Sequence, residues 1–415
     1  MDQTQLSQYI SKFDEKQENK SIEIKKKAES LKIKVNNLES DMIQFAFDKI
    51  EKDKKKFCAE HKELFDEPPD KIYVHIDLDS FFASVEMLDK PEYRQNPVGV
   101  GSMYMLSTCN YEARKYGIKS GMPGYIALQL CPELIIIPPN GKKYTYYSNI
   151  VMSIFKKYDD YLEIYSIDEA SLSFDTKQFS KALDLLKEKN INTENAHFNF
   201  PGVEFLVENI RKEVKEKTKL TVSAGISVSR GLAKLCTGIN KPDGQFTLNK
   251  NIQKFLEDMP IIKINGIGKR MNQLLNIVLD IKTIKDLKSK LHFIYLLFGG
   301  RTFYHIFRLC YGFTSHDSTK SHANKERLTV GREISFKPTN DYKELCHILW
   351  DSIKKLNERM LFANVEATSI SIKIKHDDFS VTQKQRKTKN ILSIENMYNI
   401  SLELFNKIFN PKKNL

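Results

Sequence analysis

This chain has no paired cysteines. Its six cysteines, at positions 58, 109, 131, 236, 310 and 346, include no CxxC pair and no Cys/His cluster at zinc-ligand spacing. That excludes a disulfide framework and a structural zinc site, since Cys58 and His61 alone supply only two of the four ligands zinc requires. The thiols read as buried side chains in a reducing compartment. Long hydrophobic runs are also missing, and the N-terminus is polar and charged with no apolar signal-peptide core. A soluble, intracellular protein is therefore expected, with no membrane partner.

At 415 residues the chain exceeds one ordinary core, and 41% hydrophobic and 11% aromatic residues can fill several. Acid is in short supply: 65 basic residues face 53 acidic ones, a net charge of +12. The imbalance is uneven. Residues 1–70 hold 14 Lys and 16 Asp/Glu, and the remainder carries 51 basic and 37 acidic residues. A folded body with that excess suits a polyanion, nucleic acid before a membrane surface. A Lys-rich composition throughout the source proteome would produce the same excess without a polyanionic partner.

Residues 1–65 carry apolar side chains at three- and four-residue spacing: Leu31, Val35 and Leu38, then Ile43, Phe47 and Ile50. The spacing predicts one or two long amphipathic helices, against the alternative of a charged disordered extension. Pro68-Pro69 closes this region. Strands are expected at 73–76, 98–100, 134–137, 162–167, 170–174 and 222–228, with residues 176–202 as an insertion. Residues 251–325 read as mostly helical. A β-α-β-β-α series then follows, with strands at 328–336, 367–375 and 379–388 and helices at 342–362 and 397–409.

Two apolar runs end in carboxylates: Val74-His75-Ile76-Asp77-Leu78-Asp79 and Tyr165-Ser166-Ile167-Asp168-Glu169. Paired side by side, they would bring Asp77, Asp168 and Glu169 together. At ~4 Å and an effective dielectric near 20, each like-charged pair costs about 4 kcal/mol, so a cation is expected among them. Oxygen ligands of this kind suit Mg²⁺, and two ions ~3.5–4 Å apart would serve in-line phosphoryl transfer. Ser107, Thr108, Tyr111 and Arg114 offer hydroxyls and a guanidinium to a triphosphate, Tyr111 and Arg114 lying on one helix face. Pro260 to Lys269 reads as a helix-hairpin-helix, in which Gly266 and Gly268 let the backbone approach phosphate beside Lys269. Its segment, residues 251–325, holds 12 basic and 5 acidic residues. Singly, each signal has a plainer reading: an acid at a strand end is commonly a cap, and a lone GxG commonly a turn.

Their order and flanks resemble the Y-family translesion DNA polymerases. Asp77-Leu78-Asp79-Ser80-Phe81-Phe82-Ala83 is similar to the first palm motif, and Ser166-Ile167-Asp168-Glu169-Ala170 to the second. Val98 to Thr108, Met122-Pro123-Gly124 and Leu130 to Asn140 resemble the kappa branch. The resemblance implies an α+β right-hand polymerase with palm, fingers, thumb and little-finger domains plus an N-terminal helical extension. The implied boundaries are 1–70 extension (clasp-like), 71–101 palm, 102–158 fingers, 159–250 palm, 251–325 thumb and 326–415 little finger. By resemblance, Asp77, Asp168 and Glu169 are the metal ligands with the backbone carbonyl of Leu78, and Phe82 is the steric gate against ribonucleotides. Tyr111, Arg114 and Lys241 hold the triphosphate, and Met105 and Gly121 roof the template base, Gly121 leaving room. Arg327, Arg332, Lys373 and Lys375, with Lys384 and Arg386, are candidates to grip DNA from the little finger.

The implied cofactors are two Mg²⁺ ions, replaceable by Mn²⁺. The implied partners are primer–template DNA and dNTP, with a sliding clamp and other translesion polymerases allowed although no clamp-binding peptide is found. A monomer in the nucleus is expected. The family's last little-finger strand would follow the final helix, where this sequence ends at Asn410 to Leu415. A non-catalytic DNA-binding scaffold and a nucleotidyl cyclase are the competing readings; the second leaves the hairpin and the basic thumb unexplained.

Overall fold

The computed structural model of the chain describes residues 3–314, 317, 329–378, 380–388 and 393–411. They fall into two compact units, residues 24–323 and residues 1–23 with 324–415. Among the described residues no helix is long and apolar enough to cross a membrane.

Two helices open the chain, α1 (Gln3–Asn36) and α2 (Ser40–Glu60). Strand β1 (Ile72–Leu78) and helix α3 (Phe81–Asp89) follow. A small sheet with its helices comes next: β2 (Val98–Gly101), β3 (Leu106–Cys109), α4 (Tyr111–Lys115), α5 (Gly124–Leu130), β4 (Ile135–Ile137) and α6 (Gly141–Tyr158). The chain then returns through β5 (Glu163–Ile164), β6 (Glu169–Phe174), α7 (Thr176–Lys187), α8 (Phe200–Thr218), β7 (Val222–Ser227), α9 (Arg230–Thr237) and β8 (Gln245–Leu248).

The central sheet has the order β5-β6-β1-β7-β8, with β1 antiparallel to both neighbours and β7 parallel to β8. β1 alternates strictly. Ile72, Val74, Ile76 and Leu78 point to one side, where they join Leu172, Phe174 and Ile226 under α6, α7 and α8 in one apolar core. Tyr73, His75 and Asp77 point to the other side, opposite Ser173, Ser171 and Glu169 on β6 and Ser227, Gly225 and Ser223 on β7. That second face is built of small and polar residues, and α9 lies on it. The close approach requires Gly225, because a Cβ there would collide with the Ala233 carbonyl and the Thr237 amide. α9 is thereby set down directly over His75 and Glu169. Residues 176–202, expected as an insertion, contribute Phe179, Ala182, Leu183 and Leu186 to the core on the opposite side.

The helices α10 (Ile252–Glu257), α11 (Lys269–Leu279), α12 (Ile284–Ser289) and α13 (Leu291–Leu309) form a second core. Ile50 and Phe57 of α2 are part of it, and Ala28 and Leu31 of α1 pack on Leu274. The apolar stripe of α2 differs from its sequence reading. Ala46, Ile50 and Phe57 are the buried residues, and Phe47 is 45% exposed with its ring edge-on to His292.

The other unit contains α14 (Tyr342–Ala363), β9 (Ser369–Lys375), β10 (Val381–Lys387) and α15 (Ile394–Asn406). The strand expected over 328–336 does not form: residues 329–340 have no regular structure, so the series is α-β-β-α. Alternating residues make a strand only where a neighbour accepts their ladder bonds, and periodicity alone does not name that neighbour. The expected strand at 162–167 likewise shrinks to Glu163–Ile164.

Candidate active site

The β1–β6 register sets Asp77 directly opposite Glu169, and the Leu78 amide donates to the Asp168 carbonyl at 2.9 Å. Backbone pairing thus brings the three expected acids to one sheet end. Their side chains then turn to different partners. Asp77 Oδ1 meets Lys241 Nζ, Glu169 Oε2 meets Lys234 Nζ at 2.6 Å, and Asp168 Oδ1 accepts from the Ser166 hydroxyl. Among the described residues no three His, Cys, Asp or Glu side chains converge into a metal cage. Two lysines on flexible four-carbon stems neutralise the adjacent carboxylates. Carboxylate oxygens held by such mobile ammonium groups are a donor set that fits Mg²⁺ or Mn²⁺.

The two carboxylates that face each other titrate differently. The His75 imidazole beside it, helped by Lys234, outweighs burial and holds Glu169 at about 2. At Asp77 burial wins over Lys241, and its pKa is raised. Burial also lowers the pKa of His75, keeping the imidazole neutral at physiological pH.

Asp79 has a different job from its neighbour two residues earlier. It is 2% exposed and accepts from the Thr221 and Ser223 hydroxyls at 2.9 and 2.7 Å and from the Asp243 amide at 2.8 Å. It pins the end of β1 to β7 and to the loop that carries Lys241. The Tyr111 hydroxyl also reaches Asp79, at 3.4 Å, and burial with that carboxylate raises the phenol's pKa. The Arg114 guanidinium lies over the Tyr111 ring at 5.0 Å, its exposed head pointing to solvent. Ser107 and Thr108 sit half-buried on β3 beside this helix. Asn110 fixes α4 in place: its side-chain oxygen caps the Ala113 amide and accepts from Val98, both at 3.0 Å.

Ser80, in the left-handed region (φ 47°), turns the chain sharply from β1 into α3. Phe81 then enters the core and Phe82 stays half-buried, stacked on Tyr144 at 4.2 Å and 9°. Tyr144 is in turn anchored by a 2.6 Å bond to Glu86. Met105 is 53% exposed, and the Gly121 amide donates to the Leu106 carbonyl at 2.7 Å, so both border the same β3 end. The backbone adds a second reason for glycine at 121. A Cβ there meets no atom of the chain within 4 Å, whereas its φ of +81° demands glycine's backbone freedom.

In the helical domain, Gly266 combines φ +110° with a close approach to Leu309 and His305, and Gly268 caps α11 with open space around its Cα. Lys269 starts that helix and is exposed. In the other unit, Lys373 and Lys375 share the exposed face of β9, while Ile370, Ile372 and Ile374 face the helices. Register places Lys384 and Arg386 on the opposite face from Lys373, and Arg386 pairs with Glu403 at 2.5 Å. Of these candidates, β9 presents one pair on its exposed face, and β10 turns Arg386 towards α15. Arg332 is half-buried, and Arg327 lies outside the described residues.

Sequence reasoning missed His75, Lys234, Thr237 and Asn110. For His75 a signal existed, since period-two alternation places it on the face of Asp77. For Lys234 and Thr237 none did, because only the α9 packing brings them there.

Two family profiles match the chain: the impB/mucB/samB family over residues 76–238 and its C-terminal domain over 327–415. DNA polymerase kappa of Arabidopsis thaliana is 34% identical over 319 residues, covering 76% of this chain and 44% of that protein. The human kappa enzyme is 30% identical over 393 residues, covering 80% and 45%. DNA polymerase IV of Staphylococcus aureus (strain Newman) is 34% identical over 348 residues, covering 81% and 90%. The chain spans about half the length of these two kappa relatives. Among solved structures, a Dbh–Dpo4–Dbh chimera of Y-family DNA polymerase matches with a TM-score of 0.68 at 27% identity, covering 83% of this chain and 96% of that one. An insertion ternary complex of Dbh DNA polymerase matches at 0.57 and 28%, with the same coverage of each chain.

Proposed function

Because the chain belongs to the Y family of translesion DNA polymerases, we propose that it is a template-directed DNA polymerase that adds deoxynucleotides to a primer 3′ end. One observation carries the reading: the antiparallel ladder that sets Asp77 opposite Glu169 with Asp168 beside Leu78. Asp77, Asp168 and Glu169 would hold divalent metal, which when bound supplies charge for the triphosphate and the attacking hydroxyl. The chain's own residues do the positioning. Lys241, paired with Asp77, would move its ammonium to a triphosphate and leave the carboxylate to the ion. Tyr111, locked by Asp79, and Arg114 stacked on its ring would hold the phosphate tail. Phe82, wedged flat against Tyr144, would lie under the deoxyribose and exclude a 2′-hydroxyl.

Finer claims extend the same proposal. Two metal ions would share the three carboxylates, and the kappa-type motifs at residues 98–108 and 130–140 support bypass of minor-groove guanine adducts, extension of mismatched ends and residence in the nucleus. Lys269 and the exposed Lys373 would supply sequence-independent phosphate contacts, weakening as salt rises.

The test is primer extension by the purified chain with Mg²⁺, opposite undamaged guanine and an N2-adducted guanine. Incorporation by wild type and loss of it in Asp168→Ala are expected. Full activity in Asp168→Ala would remove these carboxylates from the chemistry. No incorporation by a folded wild-type chain that still binds DNA would favour the scaffold reading.

A further inference from the structure

Glu169 sits in a bracket that metal binding and phosphate binding leave unexplained. Both donors that reach it converge on Oε2: Lys234 Nζ at 2.6 Å and His75 Nε2 at 3.5 Å. Among the described residues no donor approaches Oε1. The two donors differ in kind. Lys234 ends a mobile side chain, whereas His75 is 2% exposed inside the sheet, between Ser171 and Gly225. Its ring is stacked on Tyr165 at 6.0 Å and 16°. Its other nitrogen, Nδ1, lies 3.0 Å from the Thr237 hydroxyl, which is itself buried. Nε2 is buried and makes no hydrogen bond; the acceptor it faces is Glu169 Oε2, 3.5 Å away.

Proton placement follows from these contacts. A bare Nε2 lone pair facing a carboxylate is repulsive, so the proton belongs on Nε2 and Nδ1 is left as an acceptor. The Thr237 hydroxyl, with the Ala233 and His75 carbonyls also in range at 2.9 and 3.2 Å, then gives its one proton to Nδ1. Thr237 supports the imidazole from behind, and the imidazole addresses Oε2 from a fixed position.

We infer that His75, backed by Thr237, is a positioning residue that holds Oε2 of Glu169 and thereby turns Oε1 out as the oxygen offered to metal. Lys234 neutralises Glu169 until an ion arrives and can then swing aside. His75 cannot move, and so it keeps the carboxylate oriented through the exchange. Partners that orient a ligand from behind typically contribute 10- to 100-fold in affinity. The inference rests on Glu169 being a metal ligand.

The experiment titrates the full chain with Mn²⁺ alone and follows the free ion by electron paramagnetic resonance, so the readout is binding rather than turnover. His75→Leu is expected to weaken Mn²⁺ binding about 10- to 100-fold and to lower kcat for single-nucleotide incorporation while KM for dNTP holds. His75→Gln, whose amide can donate towards Oε2, should recover most of both. Wild-type Mn²⁺ affinity in folded His75→Leu, alongside weakened binding in Glu169→Gln, overturns the inference and leaves the metal site standing. Wild-type affinity in Glu169→Gln removes the premise and the inference with it. If His75→Leu does not fold, Thr237→Val decides. A loss of about 10-fold, the lower end of that range, supports the role, and wild-type affinity refutes it.

Discussion

Glu213 provides a quantitative check on how the sheet is backed. It lies on α8, 7% exposed, and gathers four donors: Lys189 at 2.6 Å, Lys217 at 2.5 Å, Tyr158 at 2.7 Å and Lys157 at 3.5 Å. Those groups come from α6, from α8 itself and from the turn after α7, so one carboxylate ties three helices behind the palm sheet. Burial alone would raise its pKa, but Lys189, Lys217 and Tyr158 outweigh burial and bring it from 4.5 to about 2. At about 1.4 kcal/mol per unit, the shift corresponds to about 3 kcal/mol. Because the lysine heads are partly solvated, about 2–3 kcal/mol is expected. The pKa is depressed in the folded state, so the contribution is complete above the unfolded value of 4.5 and shrinks below it. It is gone once the pH falls past about 2.

The perturbation is Glu213→Gln, which keeps the shape and removes the charge. Urea unfolding followed by circular dichroism at a series of pH values would measure the gap to wild type. The gap should hold at about 2–3 kcal/mol from about pH 8 down to about pH 5 and narrow progressively below that. A gap of constant size down to about pH 3 would show that packing rather than charge is responsible, and the reasoning would fail.

Other expected outcomes follow from the same contacts. Phe82→Ala should admit ribonucleotides, measured as the ratio of rNTP to dNTP incorporation efficiency; an unchanged ratio would separate the Tyr144 stack from sugar selection. Gly225→Ala should destabilise by about 1–3 kcal/mol by thermal melt, because α9 must lift off β7, and should also reduce incorporation by displacing Lys234. A stable, fully active Gly225→Ala would contradict the close packing of α9. The Thr221→Val/Ser223→Ala double variant removes two hydroxyls from buried Asp79 and should cost about 2 kcal/mol or more in urea unfolding, with a weaker dNTP KM because the Lys241 loop is unpinned. Lys269→Ala should lower duplex affinity about equally across sequences and reduce the salt slope by about one, read by fluorescence anisotropy.

Much of the palm was legible in the chain. The strict alternation of Ile72, Val74, Ile76 and Leu78 against Tyr73, His75 and Asp77 announces both a strand and its two faces, whereas the second acidic pair, read as a strand end, lies at the start of β6. The little-finger unit was less legible. The run at 329–336 has strand composition and no strand, since ladder partners lie far away in sequence and leave no local trace. The basic residues of β9 and β10 looked equivalent as letters, yet pairing register divides Lys373 from Arg386. The positive φ of Gly121 was likewise invisible in a string of residue types.

The sequence alone therefore determined the family, the alternation of β1 and the grouping of three carboxylates, because these are written as local spacing and residue chemistry. Tertiary structure decided which acid faces which cation. Asp79 became a buried pin, and Asp77 met a lysine at the sheet end, through partners over a hundred residues away, at Thr221, Ser223 and Lys241. His75 and Thr237, unremarkable in the chain, met behind Glu169 only because Gly225 lets a helix settle on the sheet. Electrostatics and close packing act through space, and neighbours in space are assigned only when the chain has folded.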